Sequence, residues 1–146
     1  MTSFFGKLFR RGHEEALTTG DTGRLSQRAA ERHLKAQGYK ILRSNLRDRE
    51  GELDLIARDP KTACIVVAEV RSFKARPNWT YADALPDSKK KQVCESALRL
   101  LPRAKLWQAG QPLRFDAIMV HVDDQGAVLE VKHFQNDFVP ERPERY

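Results

Sequence analysis

The chain has 146 residues, 40% of them hydrophobic and 32% charged, with a formal net charge of +6. That length suits one domain with its own core, and no apolar run approaches the ~20 residues that cross a bilayer as a helix. Two distant cysteines, Cys64 and Cys94, and four scattered histidines exclude a disulfide framework and a zinc site. Both thiols read as reduced, buried small hydrophobes, with the cytoplasm as the expected compartment.

Residues 1–20 read as a basic, flexible arm without the apolar stretch or cleavage site of a secretory signal. A helix is expected from about Asp21 to Gln37, with Leu25, Ala29, Ala30 and Leu34 as its apolar stripe, Thr22 as N-cap and Gly38 just past its end. Tyr39–Leu46 alternates apolar and polar residues and predicts a half-buried strand. "ELDLIAR" predicts a second strand, "DPKT" a turn, and "ACIVVAEVRSF" a third strand apolar on both faces, hence central and covered. "KARPNWTYADALPDS" is a long connection of the kind that often carries function. Residues 88–101 predict a second helix with Val93, Ala97, Leu98, Leu100 and Leu101 inward. "LRFDAIMVHV" and "AVLEVKHF" predict a final strand pair, and residues 139–146 a charged tail. The order α-β-β-β-α-β-β over residues 21–138 describes one α/β domain with a mixed central sheet.

Charge is distributed unevenly. Residues 1–49 hold 11 Lys/Arg against 5 acids and residues 71–105 hold 9 against 3, while residues 50–70 hold 5 acids and 2 bases. Basic flanks attract a polyanion, and an acidic centre repels one unless a cation sits there. Asp54 and Glu69 interrupt apolar strands, where an unpaired carboxylate is costly. Residues two apart share a strand face, so Glu50, Glu52 and Asp54 are expected on one side, and Glu69 and Arg71 together on the next strand. If those strands form a hairpin, Asp54 and Glu69 become neighbours. Two such carboxylates repel, and a divalent oxygen-seeking ion relieves the repulsion. The spacing alone is better served by acids paired with Arg58, Arg71 or a lysine on a solvated face.

The run "GELDLIARD" followed by "VVAEVR" resembles the small bacterial YraN-type family, also called UPF0102, a group of proposed endonucleases. "TGRLSQRAAERHLKAQGYKILRSNLR", "KKKQ", "RFDAIMV" and "HFQNDF" follow that family's further landmarks in order, so the resemblance spans about residues 22–138. It implies a restriction-endonuclease-like fold with a PD-(D/E)xK-type site, binding Mg²⁺ or Mn²⁺ and hydrolysing DNA phosphodiesters, with branched structures as candidate substrates. Carried over, Asp54 and Glu69 are the metal ligands, and Arg71 takes the place of a common lysine. Arginine stays charged and cannot serve as a base, so its role narrows to phosphate contact. The family's Gly-Glu in the first helix is here Ser26-Gln27. Gln27 brings an amide where a third acid stood, and Glu31, one turn on and about 40° around the axis, is the candidate substitute.

Lys40, Arg43, Arg47, Lys89, Lys90 and Lys91 are the expected phosphate-backbone contacts. The three lysines sit at a helix start, unfavourable for its dipole. Trp79 and Tyr81 either stack on bases or pin the long connection to the core. Arg114 and Asp116 are expected as a structural pair, and His121 and His133 as packed side chains. A homodimer is the assembly that would place two sites on a symmetric junction. The rival readings are a nucleic-acid-binding protein that keeps the fold but has lost chemistry through Gln27, and a scaffold whose acids are merely salt-bridged.

Overall fold

Helix α1 (Thr19–Ala36) stops at a glycine turn. Gly38 adopts φ 89°, and the Gly38 and Tyr39 amides, each at 3.0 Å, donate to the Lys35 and Leu34 carbonyls. This is the left-handed cap that glycine supplies without steric cost. The helix opens at Thr19, so Thr22 lies inside it rather than capping it. Its buried line is Ser26, Ala30 and Leu34, four residues apart, whereas Leu25 is 39% exposed. Leu25 sits ~100° around the axis from Ser26, which turns it out of the stripe.

The structure is a computed structural model describing residues 19–74 and 80–140. Trp79, the arm to residue 18 and the tail from residue 141 lie outside the described residues. After α1 come β1 (Lys40–Arg47), β2 (Glu52–Arg58) and β3 (Ile65–Phe73). A one-turn helix α2 (Tyr81–Ala84) follows within the expected long connection. There the Asp83 carboxylate accepts from the Thr80 amide at 2.6 Å and from its hydroxyl at 3.0 Å. Helix α3 (Asp87–Arg103), β4 (Leu113–Val122) and β5 (Val128–Phe138) complete the order. β5 outruns the "AVLEVKHF" expected for it because its polar continuation Gln135–Asn136–Asp137 lacks strand propensity. It is held by the Asn136 amide donating to Asp116 at 2.9 Å.

The sheet runs β1-β2-β3-β4-β5, antiparallel except for β3 beside β4. Antiparallel neighbours need only short links, while the parallel β3–β4 step requires the crossover that α3 provides. β3 is central, as its two apolar faces require. Ile65 and Val67 face α3 and pack with Val93, Ala97 and Leu101. Val66 and Ala68 face α1 and pack with Ala30 and Leu34. The result is a three-layer α/β/α arrangement with a mixed five-stranded sheet. Leu98, expected inward, is 46% exposed at the outer edge of the α3 stripe.

At the β1/β2/β4 end a buried polar brace ties four strands together. Arg114 grips Asp116 with Nε and Nη2, both at 2.8 Å, and donates to Asp59 at 2.6 Å and to the Tyr39 hydroxyl at 2.9 Å. His133 Nε2 lies 2.7 Å from Asp116 Oδ2, the oxygen that Arg114 Nη2 also reaches. The Arg114–Asp116 pair is thus real but larger than its sequence suggests, and His133 is packed as expected. His121 stacks on Phe73 at 5.0 Å. Both cysteines are free, with burial pushing the Cys94 thiol up to about 11. Among the described residues no helix is long and apolar enough to cross a membrane.

Candidate functional site

β2 and β3 form a pair only as far as Leu55 opposite Ala68. Beyond that point β2 stays with β1 through Leu53 and Glu52, and β3 continues along β4 to Phe73. The two strands therefore separate like a wedge, and the next residues outward are Asp54 and Glu69. A wedge leaves backbone donors unpaired, and Asp54 satisfies one, its Oδ2 accepting from the Val70 amide at 2.8 Å. The alternation of β2 also breaks here. Leu53 belongs to the α3-side core and Leu55 to the α1-side core, although residues two apart should share a face. Asn45, which faces Asp54 by the β1/β2 register, has φ 52°, so both strands twist at the same place. The predicted line of three acids is consequently broken. Glu52 and Asp54 line the cleft described below, but Glu50 points away and pairs with Arg99 at 3.5 Å.

Glu69 is 3% exposed. Its carboxyl is in hydrogen-bonding contact with that of Asp54 and is pushed up to about 8. Burial is the main cause and the Asp54 charge the next, with Arg71 and Lys89 pulling the other way. Arg71 Nη2 sits 3.5 Å from Glu69 Oε1. Lys89, in the first turn of α3, faces the same carboxyl.

Asp54 and Arg71 open onto a cleft of about 820 Å³ between α1 and the outer ends of β1, β2 and β3. Gln27 lines it and donates its amide to the Asp54 carbonyl at 3.4 Å, and Glu31 lies one turn on with its carboxylate accepting from Ser44 at 2.9 Å. Two buried polar atoms on the wall, Ser26 Oγ and Arg71 Nε, have no hydrogen-bond partner among the described residues. Such atoms are costly unless something polar enters beside them.

Of the expected backbone contacts, Arg47 lines the cleft, whereas Lys40 and Arg43 are exposed on β1 outside it. Lys90 is committed elsewhere, 3.3 Å from Asp137 and 5.2 Å from the Tyr81 ring centroid. Lys91 is exposed on α3. Arg24 and Arg28 also line the cleft and escaped the sequence reading. Their signal is the polar series Arg24, Gln27, Arg28, Glu31, at the three-and-four spacing of one helix face.

Among the described residues no three His, Cys, Asp or Glu side chains converge on a metal-sized site. Two carboxylates suffice for Mg²⁺, which keeps several waters and takes substrate oxygens. A buried carboxyl pressed against a second one is also an arrangement that a divalent cation relieves, so the donor set fits.

Residues 27–120, more than half the chain, match the family described as "Uncharacterised protein family UPF0102". Similar proteins include a UPF0102 protein of Pelobacter propionicus, 33% identical over 118 residues, covering 81% of this chain and 82% of that one. Another, from Pelotomaculum thermopropionicum, is 35% identical over 119 residues, covering 80% and 93%. The chain belongs to the UPF0102 family. In this UPF0102 protein the matched span takes in Gln27, Asp54, Glu69, Arg71 and Lys89, so the wedge and both of its carboxylates fall inside it, while Arg24 and Ser26 fall just before it.

Proposed function

We propose that this UPF0102 protein is a restriction-endonuclease-like, divalent-metal-dependent nuclease acting on DNA. The observation that carries the reading is the wedge, where Asp54 and the buried Glu69 meet with Arg71 on the second carboxyl, at a cleft lined by Arg24, Arg28 and Arg47. Asp54 and Glu69 would hold Mg²⁺ or Mn²⁺. Such an ion supplies a hydroxide at neutral pH and stabilises the leaving oxygen of a phosphodiester. Arg71 binds the scissile phosphate through the donors that Glu69 leaves open. Ser26 Oγ offers that phosphate a further hydrogen bond. Arg24, Arg28 and Arg47 hold the flanking backbone, and Lys89 balances the charge of Glu69 from behind.

A second reading is a DNA-binding protein without cleavage, favoured by the amide of Gln27 beside Asp54. Calorimetric Mn²⁺ titration and cleavage of branched and linear DNA, on wild type, Asp54→Ala and Gln27→Glu, separate the two. Metal binding and cutting that both vanish with Asp54→Ala support the nuclease. DNA binding without cutting, unaltered in Gln27→Glu, supports the second reading. Absence of both metal and DNA binding at low salt overturns both.

A further inference from the structure

Paired residues on adjacent strands share a sheet face. Following the β3/β4 and β4/β5 registers, Glu69 aligns with Ala117 and Phe134, and Arg71 with Met119 and Lys132. The acid and the cation of the wedge thus stand on the same face, and in the same two rows, as an exposed aromatic ring and a lysine. At ~4.8 Å per strand, Lys132 lies about 10 Å across the sheet from Arg71. Met119, the residue between them, lines a cavity of about 160 Å³ together with Phe73, Tyr81, Lys132 and Phe134.

This cavity is well below the ~300 Å³ lower bound of sites for whole small molecules, so it suits one part of a larger ligand. Three of its five lining residues are aromatic and one is cationic; none is acidic. Its walls are held in place. The Tyr81 hydroxyl donates to Asp137, Lys90 ties Asp137 at 3.3 Å and lies over the Tyr81 ring, and Phe73 is stacked on His121. Phe134, 39% exposed, lies 5.1 Å from the Tyr81 ring.

We infer that this cavity takes an unpaired nucleobase from the strand whose phosphate lies at Arg71, with Lys132 on the neighbouring phosphate. The inference rests on the nuclease reading and names its substrate class as DNA with an unpaired nucleotide beside the scissile bond. The aromatic faces stack on any base, and among the lining side chains only Lys132 and Tyr81 carry hydrogen-bonding groups. Tyr81 directs its hydroxyl to Asp137. Recognition is therefore tolerant of sequence and selective for unpairing. A base inside a duplex cannot reach the rings without leaving its stack.

The test uses a short single strand carrying 2-aminopurine and a fully paired duplex of the same length, both with EDTA present so that neither metal binding nor cutting enters. The wild type is expected to change the 2-aminopurine fluorescence on binding. Phe134→Leu, which keeps the apolar volume but removes the ring face, is expected to lose about tenfold in single-strand affinity and none for the duplex. Phe134→Trp is expected to retain both. Equal losses on the two DNAs, or no loss in Phe134→Leu, overturn the cavity's role. In a separate assay with Mn²⁺ in place of EDTA, Asp54→Ala should abolish cutting, while in EDTA it leaves the fluorescence change intact. Cutting lost in Asp54→Ala with single-strand binding indifferent to Phe134 leaves the nuclease standing and sinks this inference. Failure of the wild type to bind either DNA, in EDTA and again with Mn²⁺ present, sinks both.

Discussion

A carboxyl buried against a second carboxyl costs the fold free energy, and Glu69 carries that cost beside Asp54. Arg71 and Lys89 offset part of it, yet burial and the Asp54 charge prevail, and the group is pushed up to about 8. Active sites commonly hold such arrangements at the expense of stability. Glu69→Gln keeps the shape and removes the charge. It is expected to raise the melting temperature in EDTA at pH 8 by several degrees while abolishing Mn²⁺ binding. The sign follows from linkage. A carboxyl raised in the folded state is an increasing liability as pH climbs from its free value of about 4.3 toward 8, so the variant's advantage should shrink at pH 5. Differential scanning fluorimetry at both pH values measures it. A variant less stable than wild type at pH 8 would show instead that Arg71 and Lys89 make Glu69 a net stabilising group.

At the scale of elements, the turn before β2 shows how sequence and packing divide the work. Asp48 accepts from the Glu50 and Gly51 amides at 2.9 and 3.0 Å and takes Arg99 of α3 in a two-point grip at 2.7 and 3.0 Å. That grip brings α3 so close that a Cβ on Gly51 would lie 2.1 Å from Ser96 Oγ and 3.2 Å from Ser96 Cβ. Gly51→Ala is therefore expected to cost about 1–3 kcal/mol, the usual range for overpacking, as read by urea unfolding. Gly51→Ala combined with Ser96→Gly should recover most of the loss, and no recovery would locate the strain elsewhere. Most elements were legible in the sequence because their cause is local. The alternation of β1, the two-sided apolar run of β3 and the glycine stop of α1 each need only neighbouring residues. Leu25 and Leu98 were misplaced because helical period alone leaves the stripe free to rotate by a residue until tertiary contacts fix it. The pairing of Asp54 with Glu69 was legible from the hairpin. The departure of Glu50 was not, since it depends on a twist at Asn45 and on Arg99, about fifty residues away in the chain. Arg24 and Arg28 were legible in principle as a polar helical face, whereas the engagement of Lys90 with Asp137 required the fold.

Two ends of the sheet carry opposite commitments. At the wedge, polar groups are left open. At the Arg114 end the carboxylates are engaged, although His133 Nδ1 is buried without a partner among the described residues. Burial raises the Asp116 and Asp59 carboxyls, but donors from Arg114, and from His133 on Asp116, outweigh it and hold both below the usual range. Carboxyls depressed in the folded state add stability that is present above their free value of about 3.9 and is lost as pH falls through the lower folded values. Arg114→Met strands two buried carboxylates and is expected to cost about 3–5 kcal/mol at pH 7. By pH 3 the gap from wild type should narrow, because protonation relieves the stranded acids while dismantling the native brace. Urea unfolding at the two pH values tests this, and a gap independent of pH would assign the loss to packing of the arginine stem.

Which face of the molecule meets a polyanion is a question about the whole charge distribution rather than the total. The excess of six positive charges gives every exposed cation some attraction for DNA at low salt, so a loss of affinity on removing one of them does not locate the binding path. The salt dependence does, because each phosphate contact releases condensed counterions and adds ~0.9 to the slope of log affinity against log salt. Arg28 and Arg47 stand on the cleft from opposite sides, one on α1 and one at the outer end of β1. Lys40 lies at the other end of β1, opposite Arg58, and outside the cleft. If the strand runs through the cleft, Arg28→Ala with Arg47→Ala should lower the slope by about two, while Lys40→Ala shifts affinity slightly and leaves the slope unchanged. Fluorescence anisotropy on one duplex between 50 and 200 mM salt reads both quantities. A slope that falls with Lys40→Ala and not with the double variant would move the DNA path off the cleft and onto the far end of β1, detaching it from Asp54 and Glu69 altogether.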